Sequence, residues 1–100
     1  MQIAIYRIAQ ESLNNVFKYA RATQVNVNLF ITETIVHYET CDNGIGFDMA
    51  VLKPASLGMR IMRERAEAIG ADFQITSQPG SGTCVAVTWN QDPNIKLKVL

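Results

Sequence analysis

Glu11, Asn15 and Lys18 are spaced four and three residues apart in a stretch, Ile3 to Ala20, that holds neither glycine nor proline. On a helix turning about 100° per residue, Arg7, Glu11, Asn14, Asn15 and Lys18 fall within one sector, opposite an apolar stripe. A carboxylate, a carboxamide and an ammonium so placed could hold a hydrated Mg²⁺ and a phosphate together, because magnesium takes oxygen ligands and keeps several waters. The same residues also suit an ordinary solvated helix face.

Further along stands Asp42-Asn43-Gly44-Ile45-Gly46-Phe47. An acid at a strand end can accept a hydrogen bond from the exocyclic amino group of a nucleotide base, and Gly44 and Gly46 let the backbone approach a ring closely. A tight turn would use the same residues. The pattern is not Gly-x-Gly-x-x-Gly, and it leads into a loop instead of a helix, so the dinucleotide fingerprint fails. In Ser56-Leu57-Gly58-Met59-Arg60 a glycine opens a helical pattern, which is either a phosphate site at free amides or a plain loop-helix junction. Gly80-Ser81-Gly82-Thr83, taken alone, reads as hairpin-turn chemistry.

The elements that must position these residues emerge from periodicity. Ile5, Ala9, Leu13, Val16, Phe17 and Ala20 recur at helical spacing. Val25 to Ile31 alternates with period two, and Thr34 to Thr40 is a second β-rich run after a polar turn. Phe47 to Ser56 carries Pro54 and reads as a loop. Gly58 to Ile69 sets Met59, Met62, Ala66 and Ile69 on one face, with Gly70 as the stop. Asp72–Thr76 and Cys84–Trp89 read as a hairpin. Residues 90–100 form a polar tail that alternates at Ile95, Leu97 and Val99, either an added strand or a frayed end. Paired strands separated by helices predict a two-layer α/β sandwich with a mixed, largely antiparallel sheet rather than a doubly wound one.

Composition sets the outer bounds. At 100 residues, with 48% hydrophobic and 18% charged residues, the chain supports one core and is neither disordered nor collagen-like. Nine basic residues balance nine acidic ones, so no global field recruits nucleic acid or an anionic membrane. No apolar run approaches the roughly eighteen residues of a spanning helix, and Met-Gln-Ile-Ala lacks a signal-peptide layout. Cys41 and Cys84 are expected as free thiols in a reducing cytosol. His37, the only histidine, lies mid-strand and is expected on the sheet surface.

Taken in order, these features resemble the catalytic and ATP-binding domain of bacterial sensor histidine kinases, in the Bergerat-fold ATPase superfamily. Gln10-Glu11-Ser12-Leu13-Asn14-Asn15-Val16-Phe17-Lys18-Tyr19-Ala20 resembles the N box, Asp42-x-Gly44-x-Gly46-Phe47 the G1 box, Gly58-Met59 the next glycine box and Gly80-Ser81-Gly82-Thr83 the last. Tyr6 to Glu11 and Ile61 to Ala66 look like the nitrate/nitrite-sensor branch, in which Tyr19 and Ser56 stand where histidine is frequent. The resemblance spans Ile5 to Trp89 and implies a domain over 1–89, with a short ATP lid at 47–57 and strands ahead of the first helix. It implies Mg²⁺ coordination by Asn15, a metal-bound water or base role for Glu11, and phosphate pairing by Lys18. Adenine recognition falls to Asp42, supported by Thr83 through water; Gly44, Ile45, Gly46, Leu57, Gly58 and Met59 complete the nucleotide set.

The implied activity is transfer of the γ-phosphoryl of Mg-ATP to a histidine on a separate dimerisation domain. A response regulator would be the downstream partner. The implied setting is the cytoplasmic part of a homodimeric sensor, with neither nucleic acid nor membrane touched by this segment. An anti-sigma-factor-type serine kinase, or a non-catalytic nucleotide-dependent interaction module, would use the same boxes. A helix bearing His followed by Asp or Glu upstream separates the first reading from the others.

Overall fold

The computed structural model describes residues 3–50 and 56–91. Helix α1 (Ile3–Asn15) continues into a π-helical turn, Val16–Ala20, and is followed by β1 (Val25–Ile31), β2 (Ile35–Asp42), α2 (Ser56–Ala68), β3 (Asp72–Ser77) and β4 (Thr83–Asn90). The strands form one sheet in the order β1-β2-β4-β3. All three pairings are antiparallel, so the parallel component of the expected mixed sheet is absent among the described residues. Helix α2 begins two residues before the expected Gly58, because Ser56 and Leu57 already belong to it. The middle of the lid, 51–55, and the tail from 92 lie outside the described residues.

Both helices cover one face of the sheet, with α1 over β2 and α2 over β3. Ile5 and Ile8 of α1, Met62 and Ala66 of α2, and Val36, Tyr38, Phe73, Val85 and Val87 of the strands make the core. The period-two pattern of β2 survives as alternating burial, whereas β1 is exposed along nearly its whole length. As the edge strand beyond α1, β1 has no helix above it among the described residues, where Val27, Leu29 and Ile31 stay open on the helix side.

One residue departs from the expected helical stripe. Buried positions run Ile5, Ile8, Ser12, Val16, Ala20, and Phe17, expected inside, is 82% exposed. At about 100° per residue Phe17 falls on the far side of the sector set by Ile5, Ile8 and Ser12. Arg21 closes the π turn in the left-handed region, at φ 51°. Helix α2 ends as its composition predicts. Gly70, at φ 69°, donates its N–H to Glu67 at 3.0 Å, and Ala71 donates to Ala66 at 2.9 Å, the double bond of a Schellman cap.

The cysteines correct the free-thiol expectation. The β2–β4 register sets Cys41 directly opposite Cys84, with Cα atoms 4.1 Å apart, and the two are joined as a disulfide. The pairing arises from the strand register, which brings together residues 43 apart in sequence.

At the β3–β4 turn, Gly82 has φ +77°, and a Cβ there would stand 2.0 Å from the Asp42 carbonyl oxygen. Gly80 has φ +81° but open space around it. Gly80→Ala should therefore cost only its backbone strain, roughly 1–2 kcal/mol, or about 5–15 °C in Tm for a domain of this size. Gly82→Ala adds displacement of the β2 end and should lower Tm at least twice as far. Equal shifts in thermal melts would refute that close approach.

Candidate functional site

The site begins where β2 ends. Asp42 turns back on its own loop, its Oδ1 accepting the Gly44 N–H at 2.8 Å, and its second oxygen carries no bond to the described residues. This Asx turn fixes the carboxylate against the strand end. Asn43 stitches the same loop to the segment after the first helix. Its Oδ1 accepts the N–H groups of Thr23 and Gln24 at 3.0 and 2.9 Å, and its Nδ2 donates to Thr23 Oγ1 at 3.0 Å. Gly44 is buried, because a Cβ there would stand 2.0 Å from the Ala20 carbonyl oxygen.

A cavity of about 220 Å³ opens beside this loop. Helix α1 and its π turn supply Ser12, Asn15, Val16, Tyr19 and Ala20, while Asp42, Ile45, Gly46 and Phe47 come from the β2 end. Thr40, Ile75, Thr83 and Val85 of the sheet and Met59 of α2 close it. The lining is largely apolar with a few convergent polar groups, the usual make-up of a small-molecule site. Of the residues singled out in the sequence, Asn15, Asp42, Ile45, Gly46, Met59 and Thr83 line this one cavity. Gly44 lies behind it as part of the Asp42 turn.

Glu11 and Gly58 meet each other beside that cavity. A Cβ on Gly58 would stand 2.3 Å from Glu11 Oε1 and 3.5 Å from Asn15 Nδ2, so the carboxylate occupies the space a side chain would need. The glycine thus admits Glu11 to the first turn of α2, where the helix carries free N–H groups and partial positive charge. Asn15 links the two regions, lining the cavity while sitting next to this junction. Lys18 and Leu57 stand apart: both are exposed, and neither lines the cavity.

Two hydroxyl networks under the cavity escaped sequence reasoning. Ser12 Oγ donates to the Ala9 carbonyl at 2.9 Å and lies 2.7 Å from Tyr38 OH, which Thr40 Oγ1 also contacts. On the other wall, Ser77 Oγ donates to the Gly82 carbonyl at 3.0 Å, accepts the Phe47 N–H at 2.9 Å and lies 2.7 Å from Thr83 Oγ1. The only signal in the sequence was polarity out of phase: Ser12 on the buried helix stripe and Thr40 on the core-facing set of β2.

His37, by contrast, lies on the opposite face of the sheet, half-buried, with Nδ1 2.8 Å from Thr88 Oγ1. It is not among the residues that line the cavity.

Known proteins resemble the chain in sequence and in fold. A family model described as histidine kinase-, DNA gyrase B-, and HSP90-like ATPase matches residues 1–93. The sensor histidine kinase LiaS of Bacillus subtilis is 40% identical over 83 residues, which cover 83% of this chain and 23% of that protein. The sensor protein VraS of Staphylococcus epidermidis is 41% identical over 83 residues, 83% of this chain and 24% of its own length. The chain thus spans under a quarter of these relatives. Among solved structures, the histidine kinase domain of the Erythrobacter litoralis EL346 blue-light activated histidine kinase aligns with TM-score 0.69 and 24% identity, over 86% of this chain and 45% of that one. The Acinetobacter baumannii histidine kinase AdeS aligns with TM-score 0.71 and 17% identity, over 89% of this chain and 46% of its own. Those two likenesses speak to the fold. With a family model matched over residues 1–93, and relatives of about 40% identity over 83 residues, the chain belongs to the histidine kinase-, DNA gyrase B- and HSP90-like ATPase family.

Proposed function

We propose that this chain is the ATP-binding catalytic module of a sensor histidine kinase. It positions Mg-ATP so that an imidazole nitrogen on a separate dimerisation domain attacks the γ-phosphorus as the bond to the ADP oxygen breaks. The observation that carries the reading is the gathering of Asn15, Asp42 and Thr83, from three separate elements, around one cavity of about 220 Å³. The Asp42 oxygen left over from its turn accepts the adenine amino group, and Ile45, Met59 and Val85 pack on the ring.

Glu11 and Asn15 fit a magnesium ion by their chemistry, a carboxylate and a carboxamide four residues apart on α1, both beside the first turn of α2. Bound there, Mg²⁺ would neutralise charge on the phosphate oxygens. Asn15 would supply a direct oxygen ligand and Glu11 would hold a coordinated water. The first turn of α2 at Gly58 would receive the phosphates through its N–H groups, and exposed Lys18 would pair with their charge. Little covalent chemistry is asked of the protein; positioning and charge neutralisation do the catalysis. The phosphoryl would then pass to a response regulator. We further propose that the longer protein works as a homodimer with this module on the cytoplasmic side. No described helix is long and apolar enough to cross a membrane.

Calorimetry tests the base site. Asp42→Asn can turn an NH₂ toward the adenine amino group, and losing the charged bond while burying a mismatch costs roughly 2–4 kcal/mol, a 30- to 1,000-fold loss of ATP affinity. Equal affinity in both forms would remove Asp42 from the site.

Transfer is tested with labelled ATP. The chain alone should gain no label, since His37 lies on the far face of the sheet; addition of the histidine-bearing domain should yield an acid-labile phosphate on that domain. Acid-stable label on serine would favour the serine-kinase alternative, and label on His37 would overturn the placement of the acceptor.

Asn15→Ala should separate binding from transfer. Adenine contacts do not need the metal, so ADP without Mg²⁺ should bind within a few-fold of wild type. Phosphotransfer should fall ~100-fold or more, because oriented electrostatic groups of this kind contribute on the order of 3–4 kcal/mol. Transfer at the wild-type rate would return that helix face to a solvated role.

A further inference from the structure

The hydrogen-bond directions beneath the cavity are determined by proton count. Ser12 commits its one hydroxyl proton to the Ala9 carbonyl, so at its 2.7 Å contact with Tyr38 the phenol must donate. With the phenol proton spent, Tyr38 can only accept at its other contact, and Thr40 donates there. The same count applies on the opposite wall. Ser77 gives its proton to the Gly82 carbonyl, so Thr83 donates to Ser77 at 2.7 Å. Both threonines line the cavity with their protons already used, and Asp42 lines it with them. Ser12, Tyr38 and Thr40 are all at most 3% exposed, so no solvent competes with the relay.

We propose that this hydroxyl relay makes Thr40 a specificity-determining residue, an acceptor by obligation, with Ser12 and Tyr38 as the positioning residues that hold it so. The floor formed by Thr40, Asp42 and Thr83 accepts hydrogen bonds and offers none from these side chains. Facing position 6, this floor takes an amino group and opposes an oxo group, whose lone pairs would meet lone pairs; the preference requires ring N1, an acceptor in adenine and a donor in an oxo purine, to lie beyond these three side chains. The inference rests on the base-site reading of Asp42 and extends it to a residue two positions earlier on the same face of β2.

ATP and ITP are the discriminating probes, since they differ only in that 6-position group and the adjacent ring proton. Binding of each to the full chain is measured for wild type, Tyr38→Phe, Thr40→Val, Thr40→Ser and Asp42→Asn, with thermal melts run alongside. Wild type should prefer ATP. Tyr38→Phe frees the Thr40 proton to turn into the cavity, and the ATP-over-ITP preference should fall at least fivefold through tighter ITP binding. Thr40→Val removes the acceptor, so the preference should fall through about three- to tenfold weaker ATP binding, while Thr40→Ser should restore it. The phenylalanine and valine variants act on opposite ends of the relay, and a folded form of either one decides the matter. A preference within twofold of wild type in the folded variant overturns the relay. If Asp42→Asn still abolishes discrimination in that case, the base site stands without the relay. If wild type itself shows no preference, both fall together.

Discussion

The backbone of one residue, Ile45, joins three parts of the molecule. Its N–H donates to the Ala20 carbonyl at the end of the first helix, at 2.7 Å, and its own carbonyl accepts the Gly80 N–H of the β3–β4 turn at 2.6 Å. For the chain to pass between a helix end and a hairpin turn at such distances, its neighbours must present no side chain. A Cβ at Gly44 would stand 2.0 Å from the Ala20 oxygen, one at Gly46 2.0 Å from the Gln78 oxygen, and one at Gly82 2.0 Å from the Asp42 oxygen. These contacts bring the walls of the cavity together. The helix end is held at the distance that lets Asn15 and Tyr19 share a cavity with Asp42, and the hairpin turn is held where Thr83 faces it.

The π turn belongs to the same constraint. Val16 and Ala20 are buried within it, and it ends at the Ala20 carbonyl that accepts the Ile45 N–H. Asn43 then ties the following segment to the loop through both ends of its amide. Local irregularity here serves a tertiary requirement, consistent with the tendency of π turns to occur at functional sites.

Much of this was legible in the residues, and the reasons differ by element. Strand and helix identities came from period, and the Gly70 cap from residue type, because those are local physics. Asp42, Gly44, Gly46, Gly58 and Thr83 were found as motif positions, and Ile45 and Met59 line the cavity as their chain neighbours. Lys18 and Leu57 stand outside the cavity because a motif marks adjacency in sequence, while lining depends on where the helix points. Ser12 and Thr40 were missed because their partner, Tyr38, is 26 residues from Ser12. The cysteine pair was missed for a similar reason: only the β2–β4 register brings residues 43 apart into contact.

That cross-strand bond closes a covalent ring from Cys41 to Cys84, and the ring contains α2, β3 and everything between β2 and β4. A chain cut anywhere inside the ring remains one molecule, migrating as a single band until a reductant parts it into two fragments. By the chain-entropy model a ring of 43 residues also removes freedom from the unfolded chain worth about 4 kcal/mol. The same sequence therefore has two stabilities, one for each state of its sulfurs, while the hydrogen-bonded seam at Ile45 is common to both.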